Sequence, residues 1–448
     1  MKMTYVAAAL LCTASASAQT VVPRTYALAG TLIDSVTGDV NRDHHNDVVT
    51  LTDHGIIGVS QGLGEGLLKP VVSTSLFAAA STQTARVLAQ ADFNQDGRLD
   101  LVVGTDALPP DDRCTASVLI GRGDGTFLPP ATLATVDDPA LPISFSYCSS
   151  VLSADINRDG HADFALGYMF IPLDHSSPAL LGQVNVFLGH GDGTFGAPSY
   201  ALLDDSFGSR AMASGDFDGD HQLDLVFAED LVYLSGPEGH QIEVLLGHGD
   251  GTFPRRTVLD ISAAVTVFGR LRSIVSGDFN HDGHADIAIS ADTDGFGALP
   301  NQAGSAFVLL GHGDGSFAPA AAFGTTYGAK DLLVGDFDGD CALDLVIANA
   351  YDTDLPVGYP TSEAGMLSLY LGHGDGTFAA PEQLAVGGEP TSLAAGHYDT
   401  NRTLDLSYTD GPASSLTVLS NTGCRPAFSL APTHIHACRA RHGLQWCL

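Results

Sequence analysis

The apolar residues of this chain fall into short runs, many alternating with polar ones, each bounded by Gly, Asp or Pro. Runs of that length and period predict strands, since a helix would space its apolar positions three and four apart over a longer stretch. Ala85 to Ala91 is one such run, and Leu101-Val102-Val103 and Leu345-Val346-Ile347 are others. A third kind ends in VLLG. A fourth is expected to start at the Phe of a recurring GDGTF and often passes a Pro, as in Phe378 to Val386.

Two polar segments punctuate these runs in fixed order. The first occurs seven times: DVNRDHHND (39–47), DFNQDGRLD (92–100), DINRDGHAD (155–163), DFDGDHQLD (216–224), DFNHDGHAD (278–286), DFDGDCALD (336–344) and HYDTNRTLD (397–405). Consecutive copies start 53 to 63 residues apart. The second follows as VLIGRGDGTF (118–127), VFLGHGDGTF (186–195), VLLGHGDGTF (244–253), VLLGHGDGSF (308–317) and LYLGHGDGTF (369–378), with a weaker copy at 59–68. Four strands per unit of about 60 residues, seven times over, predict an all-β fold, a seven-bladed β-propeller. An open solenoid would have shorter repeats and atypical capping units. The seventh unit supplies three clear strands, and VPRTYALAG (22–30) resembles the fourth-strand segment APEQLAVGG (380–388). The N-terminal segment is therefore expected to complete the last blade and remove the ring's free edges. Arg425 to Ala431 is the competing strand.

Within the nine-residue segment, what stays constant identifies the chemistry. Position 1 is Asp in six copies, position 3 is Asn or Asp in all seven, position 5 is Asp in six and Asn in one, and position 9 is always Asp, while position 7 varies freely. Calcium takes about six to eight oxygens from carboxylates, amides, backbone carbonyls and water. Positions 1, 3 and 5 direct short oxygen ligands into one cavity, position 7 ligates through its carbonyl, and position 9 closes the shell. The candidate sets are Asp39, Asn41, Asp43, His45 and Asp47 in the first unit, and Asp92, Asn94, Asp96, Arg98 and Asp100 in the second. The third offers Asp155, Asn157, Asp159, His161 and Asp163, and the fourth Asp216, Asp218, Asp220, Gln222 and Asp224. The fifth offers Asp278, Asn280, Asp282, His284 and Asp286, the sixth Asp336, Asp338, Asp340, Ala342 and Asp344, and the seventh Asp399, Asn401 and Asp405. Gly at position 6 allows a sharp turn in three copies; His44, His221, Cys341 and Arg402 replace it elsewhere, so those turns are expected to be strained. Without a cation, three or four carboxylates around one turn would repel each other. Magnesium, which demands near-octahedral geometry, suits such a backbone-rich cage less well. About five to seven Ca2+ ions are expected.

Composition agrees. The 448 residues include 45 Asp but only 7 Glu, and only 19 Lys plus Arg, for a formal charge of −33. Asp is a turn former and hard-cation ligand, whereas a solvating charge layer would use Glu as readily. The charge excludes nucleic acid and anionic membrane surfaces as partners. The 44% apolar content excludes a disordered acidic tail.

Lys2, the apolar stretch Val6 to Leu11 and Ala16-Ser17-Ala18 read as a signal peptide over 1–18, too short to span a bilayer. A secreted, extracellular or periplasmic chain without membrane insertion is expected. The propeller is placed at 19–424 and a Cys-containing tail at 425–448. Past Cys12, six cysteines remain, enough for three disulfides. Cys114 with Cys148, Cys341 with Cys424, and Cys438 with Cys447 are the expected pairs.

With these segments in place, the chain resembles the FG-GAP/VCBS repeat proteins, whose best-known relative is the seven-bladed propeller of integrin α subunits. The resemblance covers nearly all of 22–424. It implies that the calcium loop joins the first and second strands of each blade. It further implies that Asp92, Asn94, Asp96 and Asp100 are side-chain ligands with Arg98 ligating through its carbonyl, the third to sixth copies following suit. His44 in the first copy replaces Gly but leaves all four side-chain ligands. The seventh, with His397, Asn401 and Arg402, implies a weak or empty site.

Other motifs carry less. Gly58-Val59-Ser60-Gln61-Gly62 matches the G-x-S-x-G nucleophile elbow, which needs a strand followed by a helix; here it overlays a repeat strand. Arg122-Gly123-Asp124 fills the slot of HGD in four other units. His190, His248, His312 and His373 recur in that turn, in different blades. Phe127, Phe195, Phe253, Phe317 and Phe378 are expected to pack between blades. No acid, base and nucleophile can be placed together, so the expected function is a monomeric, non-catalytic binding or adhesion module for an extracellular protein or glycan. A lectin is the alternative, and a polysaccharide lyase or phospholipase on the same scaffold a further one. The expected ligand surface is the set of irregular loops 105–117, 166–183, 229–241, 290–305 and 349–366, with Tyr168, Phe170, Tyr233, Phe296, Tyr351 and Tyr359.

Overall fold

The structure, a computed structural model, describes residues 22–421 except 29, 78–82, 107–112, 136–142, 173–180, 204–208, 232–238, 263, 265–269, 293–304, 325–327, 351–364, 387 and 402. The expected signal peptide, the tail and most of the irregular loops lie outside these residues. So do Tyr233, Phe296, Tyr351 and Tyr359.

Among the described residues every regular element is a strand, and 28 strands form seven four-stranded antiparallel sheets. The innermost strands are Leu32–Gly38, Thr84–Ala91, Ile143–Ala154, Ser209–Gly215, Arg270–Gly277, Ala329–Gly335 and Pro390–Gly396. Each packs against the innermost strands of both neighbours, and the seventh packs against the first, so the sheets close into a ring of seven blades. All seven carry a register shift after their first or second pair, as between Ala85 and Val87, an irregularity that adds local twist.

The ring closes through the N-terminal segment. Val22–Ala27 pairs antiparallel with Ser415–Ser420, from Val22 opposite Ser420 to Ala27 opposite Ser415. It is the outermost strand of the last blade, whose other strands come from the C-terminal end of the ring. The Tyr26 hydroxyl accepts the Leu68 N–H at 2.8 Å, tying that strand to blade one.

Burial falls outward across each blade. The second strand, such as Asp100–Asp106, is buried along its whole length because neighbouring blades cover both faces. It therefore reads as a continuous apolar run. The outer strand Val72–Ser75 is exposed throughout. The expected start of the fourth strand is corrected: Phe378 forms only an isolated bridge to Gly372, and the strand proper is Glu382–Ala385. The bridge closes the turn and sends the Phe ring inward. Phe378 packs with Phe279 of the preceding blade at 5.9 Å, as Phe195 does with Phe93 at 5.3 Å and Phe317 with Phe217 at 5.7 Å. Tyr168 and Phe170, expected on the ligand surface, are fully buried in the strand Asp163–Pro172 and belong to the core between blades two and three.

Cys114 and Cys148 form a disulfide joining a blade-two strand, Cys114–Leu119, to the innermost strand of blade three. Cys341 is also disulfide-bonded, and Cys424, Cys438 and Cys447 lie outside the described residues. Cys114 and Cys148 are 34 residues apart, so the crosslink should contribute about 3–4 kcal/mol by restricting the unfolded chain. The Cys114→Ser/Cys148→Ser double variant should lose about that much in denaturant unfolding, with a steeper slope because the uncrosslinked unfolded chain exposes more surface; a loss below about 1 kcal/mol would contradict this account.

Candidate metal sites

Each nine-residue segment is the hairpin between the innermost and second strands of its blade. In the first six loops positions 4 and 6 both adopt positive φ, for example Gln95 at 57° and Gly97 at 75°, or His281 at 59° and Gly283 at 86°. The alternation turns positions 1, 3 and 5 toward one another. At position 6, His44, His221 and Cys341 take φ of 66°, 66° and 74°, the strain expected where Gly is absent. Arg402 lies outside the described residues.

Hydrogen bonds within the loop fix its carboxylates. In blade two, Asp92 accepts the N–H groups of Asp96 at 3.1 Å and Gly97 at 2.7 Å. Asn94 Oδ1 accepts the Asp96 N–H at 3.1 Å, and Asp96 accepts the Arg98 N–H at 3.0 Å. Position 5 accepts the N–H of position 7 in the same way from His45, His161, Gln222, His284 and Ala342. In blades one, two, three and five the position-3 Asn donates to the position-5 Asp at 2.8–3.0 Å, so a neutral amide separates two carboxylates. Blades four and six have Asp218 and Asp338 there instead. Carboxylate oxygens of Asp216, Asp218 and Asp224 converge within 4.8 Å of one another, as do those of Asp336, Asp338 and Asp340. Arg255 donates to Asp218 at 2.6 Å, partly offsetting the charge in blade four.

Position 9 does something that spacing alone did not show. Asp47, Asp100, Asp163, Asp224, Asp286, Asp344 and Asp405 are all 0% exposed. Asp100 Oδ2 accepts the Phe93 N–H at 2.9 Å, and its Oδ1 accepts the Gly121 N–H at 2.7 Å. Every blade repeats this pair, one bond to position 2 and one to the end of the third strand. The carboxylate thus staples the metal loop to the GDGTF turn and sets both at the same end of the blade. Burial, with repulsion from the loop's other carboxylates, pushes Asp47, Asp100, Asp286 and Asp405 up to about 6 and Asp224 and Asp344 up to about 7.

Position 2 was also missed, although it is apolar in all seven copies: Val40, Phe93, Ile156, Phe217, Phe279, Phe337 and Tyr398. Its N–H goes to position 9, its side chain is buried, and in five blades its carbonyl accepts an N–H from the next blade. Gly193 donates to Phe93 O at 3.0 Å, Gly315 to Phe217 O at 2.9 Å, Gly376 to Phe279 O at 2.9 Å and Gly66 to Tyr398 O at 2.8 Å. These donors are the second Gly of each turn, at positive φ. Blade seven has no such Gly, and the Asn421 side-chain amide donates to Phe337 O at 2.7 Å in its place.

The seventh loop uses its polar groups internally. Asn401 donates to Asn421 O at 2.6 Å and to Asp399 at 3.1 Å, while the His397 ring N–H donates to Thr403 O at 2.9 Å. The RGD segment is turn chemistry: Asp124 accepts both the N–H and the hydroxyl of Thr126, as Asp192 does from Thr194. Ser60, of the elbow-like segment, is 1% exposed on the strand Ile56–Ser60, and a turn rather than a helix follows. The histidines of the turns sit in separate blades.

Residues 39–103, 92–166, 176–227 and 228–289, together more than half the chain, match the FG-GAP-like repeat, and 271–309 match the FG-GAP repeat. The chain belongs to the FG-GAP repeat family. Cartilage acidic protein 1 of Homo sapiens is 31% identical over 173 residues, 38% of this chain and 23% of the relative. Its Mus musculus counterpart is 30% identical over 171 residues, 38% of this chain and 24% of that one. The chain thus spans about a quarter of the length of these relatives. Among solved structures, BBS1N, crystallised in complex with ARL6DN, superposes with a TM-score of 0.51 at 10% identity over 88% of this chain and 94% of that one, a likeness of fold alone. The FG-GAP motif of this chain therefore joins two chemistries: oxygen clusters able to hold a hard cation, and a carboxylate staple that builds the blade.

The two can be separated. Asp100→Ala would strand two buried N–H groups at about 1–3 kcal/mol each, with chelator present or absent. Asp96→Ala, at an exposed position, should change stability in chelator by under about 1 kcal/mol yet remove one ion. Equal losses in chelator would refute the division.

The raised carboxylates give a signed pH effect. Folded values lie above the unfolded one, so the folded chain binds more protons between about pH 4 and 7. In chelator, stability should fall as pH rises through that window. With calcium present the slope should reverse, because protons compete with the metal. Melting temperatures at pH 5 and 8, with chelator and with calcium, test both signs.

Proposed function

We propose that the chain is an exported, calcium-loaded binding module with no catalytic role. The observation that carries the metal reading is the pair of carboxylate clusters, Asp216 with Asp218 and Asp224 and Asp336 with Asp338 and Asp340, in loops whose residue pattern and left-handed turns at positions 4 and 6 four other blades share. The donors fit calcium: side chains at positions 1, 3 and 5, the position-7 carbonyl, and the lone pairs that position 9 retains after accepting two N–H bonds. On this reading Asp92, Asn94, Asp96, Arg98 and Asp100 hold one ion, the first and third to sixth copies hold theirs likewise, and the seventh holds it weakest. Bound calcium supplies positive charge where carboxylates crowd, and its role is structural. The Cys114–Cys148 disulfide supports an oxidising compartment such as the cell exterior or a periplasm. No helix among the described residues is long and apolar enough to cross a membrane.

Binding is assigned to the opposite end, where the second strand passes to the third and each blade to the next. Those connections differ in sequence from blade to blade, as binding loops do. The partner class is an extracellular protein or glycan.

Each site filled at a hundred times its dissociation constant adds about 2.7 kcal/mol. Five such sites would match the stability of an ordinary domain, about 5–15 kcal/mol. Calorimetry at fixed ionic strength should show a large drop in melting temperature on chelation, with about five to seven ions by elemental analysis. An unchanged melting temperature and no metal would sink the calcium reading. A glycan and surface-protein screen in calcium tests the rest: release of cleaved product from any bound glycan would overturn the non-catalytic reading.

A further inference from the structure

Position 4 of the metal loop offers no side-chain ligand, yet from two blades its side chain hydrogen-bonds the next loop. Gln95 of blade two donates from Nε2 to the carbonyl of Gly160 in blade three at 2.7 Å. His281 of blade five donates from its ring Nε2 to the carbonyl of Cys341 in blade six at 3.0 Å. Both acceptors are position 6 of the neighbouring loop. The peptide unit so gripped has its N–H end at position 7, and that N–H is already committed. His161 donates it to Asp159 at 2.8 Å, and Ala342 to Asp340 at 2.8 Å. One peptide plane is therefore held from both sides, by a ligand of its own loop and by a side chain of the loop before it. The next carbonyl along, at position 7, is the backbone ligand of the calcium reading.

The donor's own position is equally constrained. Gln95 and His281 stand at φ of 57° and 59°, each between ligand positions 3 and 5 of its loop. An ion that gathers positions 3 and 5 fixes the backbone between them, and with it the side chain that orients the neighbouring peptide. In blades four and six position 4 is Gly219 and Gly339, and no side chain can reach across.

Resting on the calcium reading above, we propose that Gln95 and His281 are positioning residues that couple adjacent metal loops, so that filling loop two raises the affinity of loop three, and loop five that of loop six. Order imposed by the first ion removes part of the ordering cost of the second, which is positive cooperativity without a change of fold. Loops four and six pass no such coupling onward.

Calcium titration calorimetry on the full chain tests this. Asp96→Ala should lower the ion count by one and weaken one remaining site by about fivefold, the lower end of usual coupling. Asp220→Ala, in the loop with Gly219, should lower the count by one and leave the other constants unchanged. Gln95→Ala should keep the full count and the wild-type melting temperature in chelator, yet weaken binding by about fivefold. Gln95→Arg, a donor of similar reach, should restore it. If Gln95→Ala binds like wild type and Asp96→Ala loses only its own site, the coupling is refuted while calcium binding stands. A wild-type chain that binds no calcium overturns the metal reading and the coupling together.

Discussion

The buried carboxylate at the end of each metal loop is the interaction on which the rest of the ring depends. A carboxylate shut away from water is costly unless hydrogen bonds replace its hydration. In each blade two backbone N–H groups do so, one from position 2 of the same loop and one from the end of the third strand, as with Phe93 and Gly121 on Asp100. Those bonds bring the two hairpins of a blade to one end. They also orient the position-2 peptide, whose carbonyl accepts a glycine N–H from the next blade in four blades and the Asn421 side chain in a fifth. Intrablade and interblade order therefore share a single residue. The compensation is incomplete, which is why burial pushes all seven carboxyls above the ordinary range, six of them up to about 6 or 7. A cation placed among them would offset the remainder.

This dependence explains what the chain tolerates. Position 9 never varies, because either oxygen lost strands a buried N–H. Position 6 varies freely among Gly, His and Cys, since left-handed strain of about 1–2 kcal/mol per residue is affordable in a hairpin held at so many points. Blade seven varies most and keeps the geometry by substitution. Asn421 supplies both the backbone N–H to Asp405 and a side-chain N–H to Phe337, two duties that fall to separate glycines elsewhere. The same blade lacks a fourth strand of its own and borrows Val22–Ala27, so its departures coincide with ring closure.

Much of this was legible in the sequence because repeats convert a weak pattern into a strong one. Seven copies of one segment and six of the other fixed the blade count and the hairpin order, and the likeness of 22–30 to 380–388 pointed to the closing strand. What was not legible involved partners distant in sequence. Counting oxygens assigned position 9 to a metal shell, but nothing in DFNQDGRLD announces a bond to Gly121. Position 2 was apolar throughout and passed as strand filler, because its carbonyl, rather than its side chain, makes the blade contact. Tyr168 and Phe170 looked like loop aromatics because a ten-residue strand extends the apolar run past the expected end of the blade. Alternation alone cannot tell a long buried strand from an aromatic loop.

The two ends of the ring obey different constraints, and this limits what the repeats can say about a partner. At the metal-loop end, the ninth carboxylate, the second carbonyl, the turn glycines and the Asp of each GDG are engaged in holding the blade or its neighbour. A substitution there is read first as a change in stability, which keeps the copies alike. At the other end, among the described residues, interblade carboxylate bonds such as Asp34 to the Leu88 N–H and Asp331 to the Leu393 N–H occur in some blades only, so length and composition can drift more independently. Selection for a ligand can act on them without disturbing the ring. The regularity that makes the fold readable is therefore confined to the end least able to encode specificity. On the proposed reading, specificity for a partner is written where the seven units differ.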